Sequence, residues 1–549
     1  MATGHSGAGP RTSPPAVEQR AGLSRRKLAW IACFLALPPA CSTPGPPPPD
    51  RAETLRIAIR ADPGILDPIT EHNTLARLVS TLIAEPLIDL DSDLRPVPRL
   101  ALEWEREQEK NAWWFRLRPG VRWEDGSSFG AADIEATLER ALDPRTPSLD
   151  LRALFGEVRS IETMGARQIR VHFASTAPLS VMPWQRLAIL PRGNANDTQR
   201  HESWLSGSGP YRLSRWRRNE WILLERNPAW WGEVPAIRYL LFKIIPEALA
   251  AERALERGDV DIAIVQTPGA KRAPTGESSF RVVEYDRPVI YVVVWNIRKF
   301  PEIFGDARLR KALALALNRP AFVDRVRRGQ ARVAATLYPP IWRRGRAGVA
   351  PLPYDPAAAE QLLEEAGWID RDGDGWRDRQ GRRLSFPLLY ALEDPVRRDA
   401  AQLLQSDLAR IGVEVRLERV DAFSLVRRLR SGEFMAAVHG WRLDPEPRTF
   451  DFLHSSQIEE GLNYGGYTDP DLESLLEREI TLADEQERLA VGRAIEEVLR
   501  EDAPLLFICF PKQFVGVSHR VQGFDIGPLG LLQGFPGPVH WRLVQKDSP

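Results

Sequence analysis

Asp370, Asp372, Asp374, Gly375 and Asp378 occupy the first, third, fifth, sixth and ninth positions of a calcium-binding loop, whose oxygen ligands suit a hard cation. The twelfth position, where such a loop needs a bidentate glutamate, is Gly381. The same run also reads as an Asp-Gly turn into a strand over residues 384–390, and this simpler reading is preferred; calcium bound here would be structural. No other metal and no cofactor is expected. The eight histidines are scattered singly. Neither a Gly-Lys dipeptide, as in a phosphate-cradling loop, nor a His-Glu-x-x-His or Cys-x-x-Cys pattern occurs. No catalytic constellation emerges, so an enzyme is not expected, although triads assembled in space carry no fixed spacing.

The elements that hold any site must come from a chain of 549 residues, too long for one core, which usually stops growing at roughly 250–300 residues. Its 74 basic residues balance 74 acidic ones, which leaves no field to attract nucleic acid. Arg20, Arg25, Arg26 and Lys27 precede an apolar run over residues 28–37 and then Pro38-Pro39-Ala40-Cys41, the pattern of an export signal. Cys41 is a candidate for acylation, and a proline-rich stretch over residues 42–51 would then tether the protein to the membrane. Proline three residues before the cysteine departs from the usual lipoprotein signal, so plain cleavage stays open, as does twin-arginine rather than general export. Cys509 lies in an apolar run and is read as a buried, inert thiol.

Beyond the tether the pattern is mixed α/β. Residues 55–60 alternate as a half-buried strand, and residues 114–117, 169–173, 221–225 and 239–245 form further strands, interleaved with helical patterns such as residues 131–141. Asp306 caps a helix over residues 307–318. Asp355-Pro356 opens another that Gly367 closes, and Asp421, Asp469 and Asp484 start three more. Between Ile411-Gly412 and Val438 the pattern runs strand, helix, strand, as in a parallel sheet.

A collinear series of motifs resembles the extracytoplasmic solute-binding proteins of the oligopeptide, dipeptide and nickel class. It begins with Glu85-Pro86-Leu87-Ile88 and Arg95 to Trp104, and continues with Trp114 to Trp123, Asp125-Gly126 and Leu142-Asp143-Pro144. Gly207-Ser208-Gly209-Pro210-Tyr211, Arg226-Asn227-Pro228 with Trp231, Gly258-Asp259-Val260-Asp261, and Tyr354-Asp355-Pro356 with Ala366-Gly367-Trp368 complete it. The resemblance implies a two-lobed periplasmic-binding-protein fold of the class II, cluster C type, with an extra subdomain in the first lobe. It places the signal at residues 1–41, lobe I at 52–84, 191–294 and 512–545, the extra subdomain at 85–190 and lobe II at 295–511.

It further implies capture of a peptide between the lobes and delivery to the permease of an ABC importer, by a monomer in the periplasm or at the cell surface. Peptide-binding relatives clamp the ligand's amino group with an aspartate three residues after a tryptophan, a spacing found at Trp441 and Asp444. The turn after Asp444 is one residue short of the usual pattern, so Glu446 is an alternative acid. Arg448 is a candidate partner for a ligand carboxylate, and Trp295 and Asn296 lie where the lobes are expected to cross. The same fold serves metal chelates and oligosaccharides, and a secreted hydrolase or a lipoprotein that binds without feeding a transporter are the remaining alternatives.

Overall fold

The fold of this chain is known from a computed structural model, which describes residues 49–544 apart from 71–73, 175–179, 196–205, 267–279, 339–348, 444–448, 460, 483, 528 and 533–536. The expected helix starts are all present, because each rests on one side chain satisfying amide groups that the helix itself leaves unpaired. Asp306 accepts from Arg308 N, Asp355 from Ala358 N, Asp421 from Ser424 N, Asp469 from Leu472 N and Asp484 from Glu487 N. These begin α3 (Ala307–Leu315), α4 (Pro356–Glu365), α6 (Ala422–Ser431), α7 (Pro470–Thr481) and α8 (Glu485–Asp502). Helix α3 stops three residues before the expected end. Asn318 accepts from Ala321 N and, with Pro320, begins a separate turn.

In the first part of the chain, β1 (Thr54–Ile59) runs parallel to β8 (Tyr239–Ile244) and β9 (Ile262–Val265). The antiparallel pair β6 (Tyr211–Arg217) and β7 (Trp221–Arg226) extends this sheet beyond β8, and α2 (Ala248–Glu256) follows β8. In the second part, β13 (Ser385–Ala391) is parallel to β14 (Glu414–Val420) and β15 (Ala436–Arg442), while β11 (Val289–Trp295) lies antiparallel to β15. Helix α5 (Pro395–Ala409) connects β13 to β14.

The two half-sheets share one long strand, β16 (Leu505–Ser518). Its first half pairs with β11 and with β12 (Ala331–Val333). Its second half pairs with β9 and β10 (Phe280–Asp286). The chain therefore passes between the halves twice, at Arg287-Pro288 and at Pro511, where Arg287 N donates to Pro511 O at 2.9 Å. The boundaries expected from sequence fall at 294/295 and 511/512, whereas β11 in its entirety pairs within the second half-sheet.

A separate antiparallel sheet is built from β2 (Ala101–Glu107), β3 (Ala112–Leu117), β5 (Gln168–Phe173) and β4 (Val158–Thr163), in that order. Helix α1 (Ala131–Leu142) packs with it, and Trp184 meets Phe115 and Phe155 edge-on at 4.6 and 4.9 Å between ring centres. The buried Glu85 carboxylate ties this layer to the first half-sheet. It accepts from Ser208 Oγ, Trp230 Nε1 and Trp231 Nε1 at 2.9, 3.2 and 2.8 Å, with Arg99 Nη2 3.4 Å away. Gly207 and Gly209 serve close approach rather than a left-handed turn: a Cβ on either would stand 1.8 or 2.6 Å from Ile83 O.

Asp261, 1% exposed, holds the end of the first half-sheet that lies away from the crossing. One oxygen accepts from Arg56 N and Nε at 2.8 and 3.1 Å, and the other from Arg56 Nη2 and Arg520 Nη1 at 2.9 and 3.3 Å, joining β1, the start of β9 and the end of β16. Removing a buried partner strands the remaining charges, which typically costs about 3–5 kcal/mol. Asp261→Ala is therefore expected to lower the unfolding free energy by about that amount in urea titrations, and a loss under about 1 kcal/mol would contradict this role.

Candidate functional site

Strand direction locates the site. Strand β16 runs from the second half-sheet to the first; β9 is antiparallel to it, and β1 and β8 follow β9, so all three point their carboxyl ends at the crossing. Strand β11 is also antiparallel to β16, and β15, β13 and β14 oppose β11, so their carboxyl ends point at the crossing from the other side. Ligands of open α/β sheets bind outside the carboxyl ends of the strands. Here two sets of such ends converge on one crevice above β10, β11 and β16.

Several polar side chains gather at this place. Tyr291 OH donates to Asp394 Oδ2 at 2.6 Å, and Asp394 also caps α5 by accepting from Val396 N at 2.9 Å. Arg397 Nε lies 3.6 Å from the same carboxylate. Tyr285 OH donates to Gln513 Oε1 at 2.5 Å across the crossing strands, and Arg332 Nε pairs with Asp286 at 3.1 Å. Burial and the neighbouring carboxylate push the Tyr291 hydroxyl well above the usual phenol range, so it stays a hydrogen-bond donor.

Trp441, at the end of β15, is 5% exposed and packs on Phe452, Tyr464 and His439 with ring centres 4.9, 6.3 and 5.5 Å away. His439 projects from the same strand face two residues earlier. Trp441 Nε1 and His439 Nδ1 are both buried without a hydrogen-bond partner among the described residues. Burial, reinforced by the Arg397 charge, pushes the His439 imidazole down to about 3. It is therefore neutral at physiological pH. Leu443 N donates to Pro288 O at 2.8 Å, which pins the exit of β15 against the crossing.

The sequence candidates fare differently. Asp444, Glu446 and Arg448, and Cys41 at the other end of the chain, lie outside the described residues. Trp295 and Asn296 are corrected. Strand β11 leaves the crossing, so both stand at its far end rather than in the crevice. Trp295 is wholly buried, stacked on Phe304 at 5.2 Å and edge-on to Phe386 at 6.0 Å. Asn296 Nδ2 donates to Gly432 O and Phe434 O at 3.1 and 2.8 Å and its Oδ1 accepts from Lys299 N, a local bracing role.

Asp370, Asp372 and Asp374 bring oxygens within 4.8 Å of one another on the surface. Asp370 accepts from Gly373 N and Gly375 N, and Asp374 from Trp376 N, so the loop is closed by its own amides. Asp374 is further paired with Arg383, and Asp378 with Arg371 at 3.0 Å. Cys509 is fully buried and its thiol is pushed up to about 12, which suits an inert packing residue. The run Gly126-Ser127-Ser128-Phe129-Gly130 has the spacing of a nucleophile elbow. Its central serine, Ser128, is instead exposed and bridges Arg122 in a turn that Ser127 Oγ closes by donating to Asp125 at 2.6 Å.

Tyr291, Asp394, Arg397 and His439 escaped the sequence reading. Two signals were present: Asp394-Pro395 marks a helix start directly after a strand, and His439 shares the period-two face of Trp441.

The model for bacterial extracellular solute-binding proteins of family 5 matches residues 95–460. The oligopeptide-binding protein AppA of Bacillus subtilis is 28% identical over 426 residues, covering 75% of this chain and 78% of that one. The nickel-binding periplasmic protein of Escherichia coli is 26% identical over 467 residues, 82% and 87% of the two chains. Among solved structures, AppA in complex with a nonapeptide aligns at a TM-score of 0.73 with 25% identity, covering 90% of this chain and 99% of that one. NikA from Brucella suis in complex with Fe(III)-EDTA aligns at 0.78 with 22% identity over 89% and 100% of the chains, a likeness of fold. The fold is that of the two-lobed periplasmic binding proteins.

The buried neutral histidine makes a prediction about acid. An unfolded chain protonates His439 below its ordinary value of 6.5, whereas the folded chain does so only near 3, so the unfolded state binds more protons in that window. Stability contributed through this residue is intact above 6.5 and falls by about 2 kcal/mol between pH 7 and pH 5. His439→Leu is expected to remove that part of the slope in denaturation curves compared with the parent, and an identical slope in both proteins would contradict it.

Proposed function

The chain belongs to the bacterial extracellular solute-binding proteins of family 5, and from that premise we propose that it captures a peptide in the crevice and passes it to the permease of an ABC importer. The observation that carries the reading is the convergence of two sets of strand carboxyl ends over two narrow chain crossings. Such a crossing permits hinge closure, in which bound ligand shifts the population from an open to a closed form that the transporter can recognise. The similarity to an oligopeptide-binding protein over three quarters of the chain supports a peptide as the solute.

In this reading lobe I comprises residues 52–84, 191–288 and 512–545, with the subdomain of residues 85–190 attached to it, and lobe II comprises 289–511, the hinge lying at Arg287-Pro288 and Pro511. The protein binds without chemical turnover, as a monomer, outside the cytoplasm, and Cys41 carries a lipid that anchors it. No cofactor enters the cycle.

Asp444 takes the ligand's amino group. Its support is position: Leu443, its neighbour in sequence, is bonded to Pro288 at the crossing, and Trp441 is the last residue but one of the strand before it. A carboxylate facing an ammonium forms a charge-assisted hydrogen bond that strengthens when closure excludes water. Glu446 and Arg448 follow within reach in sequence, as an alternative acid and a partner for a ligand carboxylate.

The first test is native mass spectrometry of protein purified without denaturant, with release and identification of the small molecules that accompany it. A ladder of short peptides is the expected outcome. A metal chelate or sugar, with peptides failing in a subsequent titration, would replace the peptide reading. Asp444→Ala is then expected to weaken peptides with a free amino terminus by about 2–5 kcal/mol in calorimetry. An equal effect on N-acetylated peptides would remove the amine clamp.

A further inference from the structure

Among the described residues eight large apolar side chains are exposed, and four of them share one kind of position in the fold. Leu249 is 62% exposed, Ile65 40%, Leu392 48% and Phe423 80%. Each lies in the segment that follows a parallel strand: Ile65 six residues after β1, Leu249 five residues after β8 at the start of α2, Leu392 directly after β13 and Phe423 three residues after β14 in the first turn of α6. Leu392 N donates to Val420 O at 3.1 Å, which holds the β13 and β14 exits side by side; Ile245 N donates to Ile59 O at 2.8 Å and does the same for β8 and β1. Because both sets of carboxyl ends point at the crossing, the two apolar pairs, one from each half-sheet, stand at ends that face each other across it.

The sheet order places these pairs at comparable distances from the shared strand. Strands β1 and β8 are the second and third beyond β16 on one side, and β13 and β14 the third and fourth on the other. An ion or a hydroxyl-rich solute gains nothing from such walls, whereas an apolar side chain held between them removes apolar surface on both sides from water. The same walls must remain wet in the absence of ligand, which favours a solute that supplies the cover itself.

We propose that Ile65, Leu249, Leu392 and Phe423 are specificity-determining residues that select peptides carrying apolar side chains over peptides with small or acidic ones. This rests on the reading of the crevice as a peptide site. It adds the side-chain class that the crevice prefers.

The test compares tetrapeptides with free termini, of leucine and phenylalanine in one series and of glycine and aspartate in the other, by calorimetry. The apolar series is expected to bind roughly tenfold tighter or more, the scale of discrimination a hydrophobic pocket supplies. Phe423→Ser and Leu249→Ser, at exposed positions that leave the cores untouched, are expected to shrink that ratio to below about threefold. Val234→Ser is the control, since Val234 is 44% exposed but precedes β8 at its amino end; its ratio should match the parent. Equal affinity for both series, or an undiminished ratio in the wall variants, overturns the inference while leaving peptide capture intact. Unchanged ligand affinities with impaired stimulation of the cognate transporter would reassign the four residues to docking and equally overturn it. Failure of every peptide, with binding of an amphipathic acid such as deoxycholate, overturns the peptide reading itself and this inference with it.

Discussion

Everything in this molecule is positioned relative to one backbone ladder, the fourteen residues of β16 that belong to both half-sheets. The partners of this strand change at Pro511, which has no N–H to donate to either neighbour. Before it the partners are β11 and β12, after it β9 and β10, and its carbonyl accepts from Arg287 of the neighbouring crossing. Two crossings side by side leave few backbone bonds to oppose a change of angle between the halves. The direction of β16 also aims every parallel strand of both halves at the same gap.

The two halves are rigid for different reasons. In the first, charge is buried and matched: Glu85 is surrounded by two indoles, a hydroxyl and Arg99, and Asp261 by two guanidinium groups and a backbone amide. Burial pushes the Glu85 carboxyl up while Arg99 and three donors work against that push, so the group is stable only with its partners assembled. The four-stranded layer of β2 to β5 is joined to the sheet through this contact. In the second half the stiffness is apolar, with Trp295, Phe304 and Phe386 stacked beneath β11, β13 and β15. Rigid halves and a narrow crossing confine motion to the hinge, which a binding protein that signals occupancy by closure requires.

At the crevice the polar groups are held before any ligand arrives. Tyr291, Asp394 and Arg397 orient one another, and Asp394 is further fixed as a helix cap. His439 is kept neutral beside Trp441, so this wall presents dipoles and apolar surface rather than net charge. Preorganised groups of this kind lower the ordering cost of binding.

Local chemistry was legible without the fold. The aspartates 306, 355, 421, 469 and 484 could be read as helix starts because a cap needs only its own next three residues. The α/β class and the strand, helix, strand unit before β15 followed from periods that a side chain shares with near neighbours in sequence. What escaped was decided by partners far away in the chain. Trp295 and Asn296 looked like crossing residues, but pairing of β11 with β15 and β16 turned one into the core and set both at the end remote from the gap. Gly207 and Gly209 belong to a motif whose purpose no local pattern reveals: it is the Ile83 carbonyl, over a hundred positions earlier, that forbids a side chain there. Sequence by itself determined the capped helix starts, part of the strands and the family they compose. Only the tertiary structure decided which side chains share the crevice, because strand direction and facing are properties of the ladder, and the ladder joins residues that no local pattern relates.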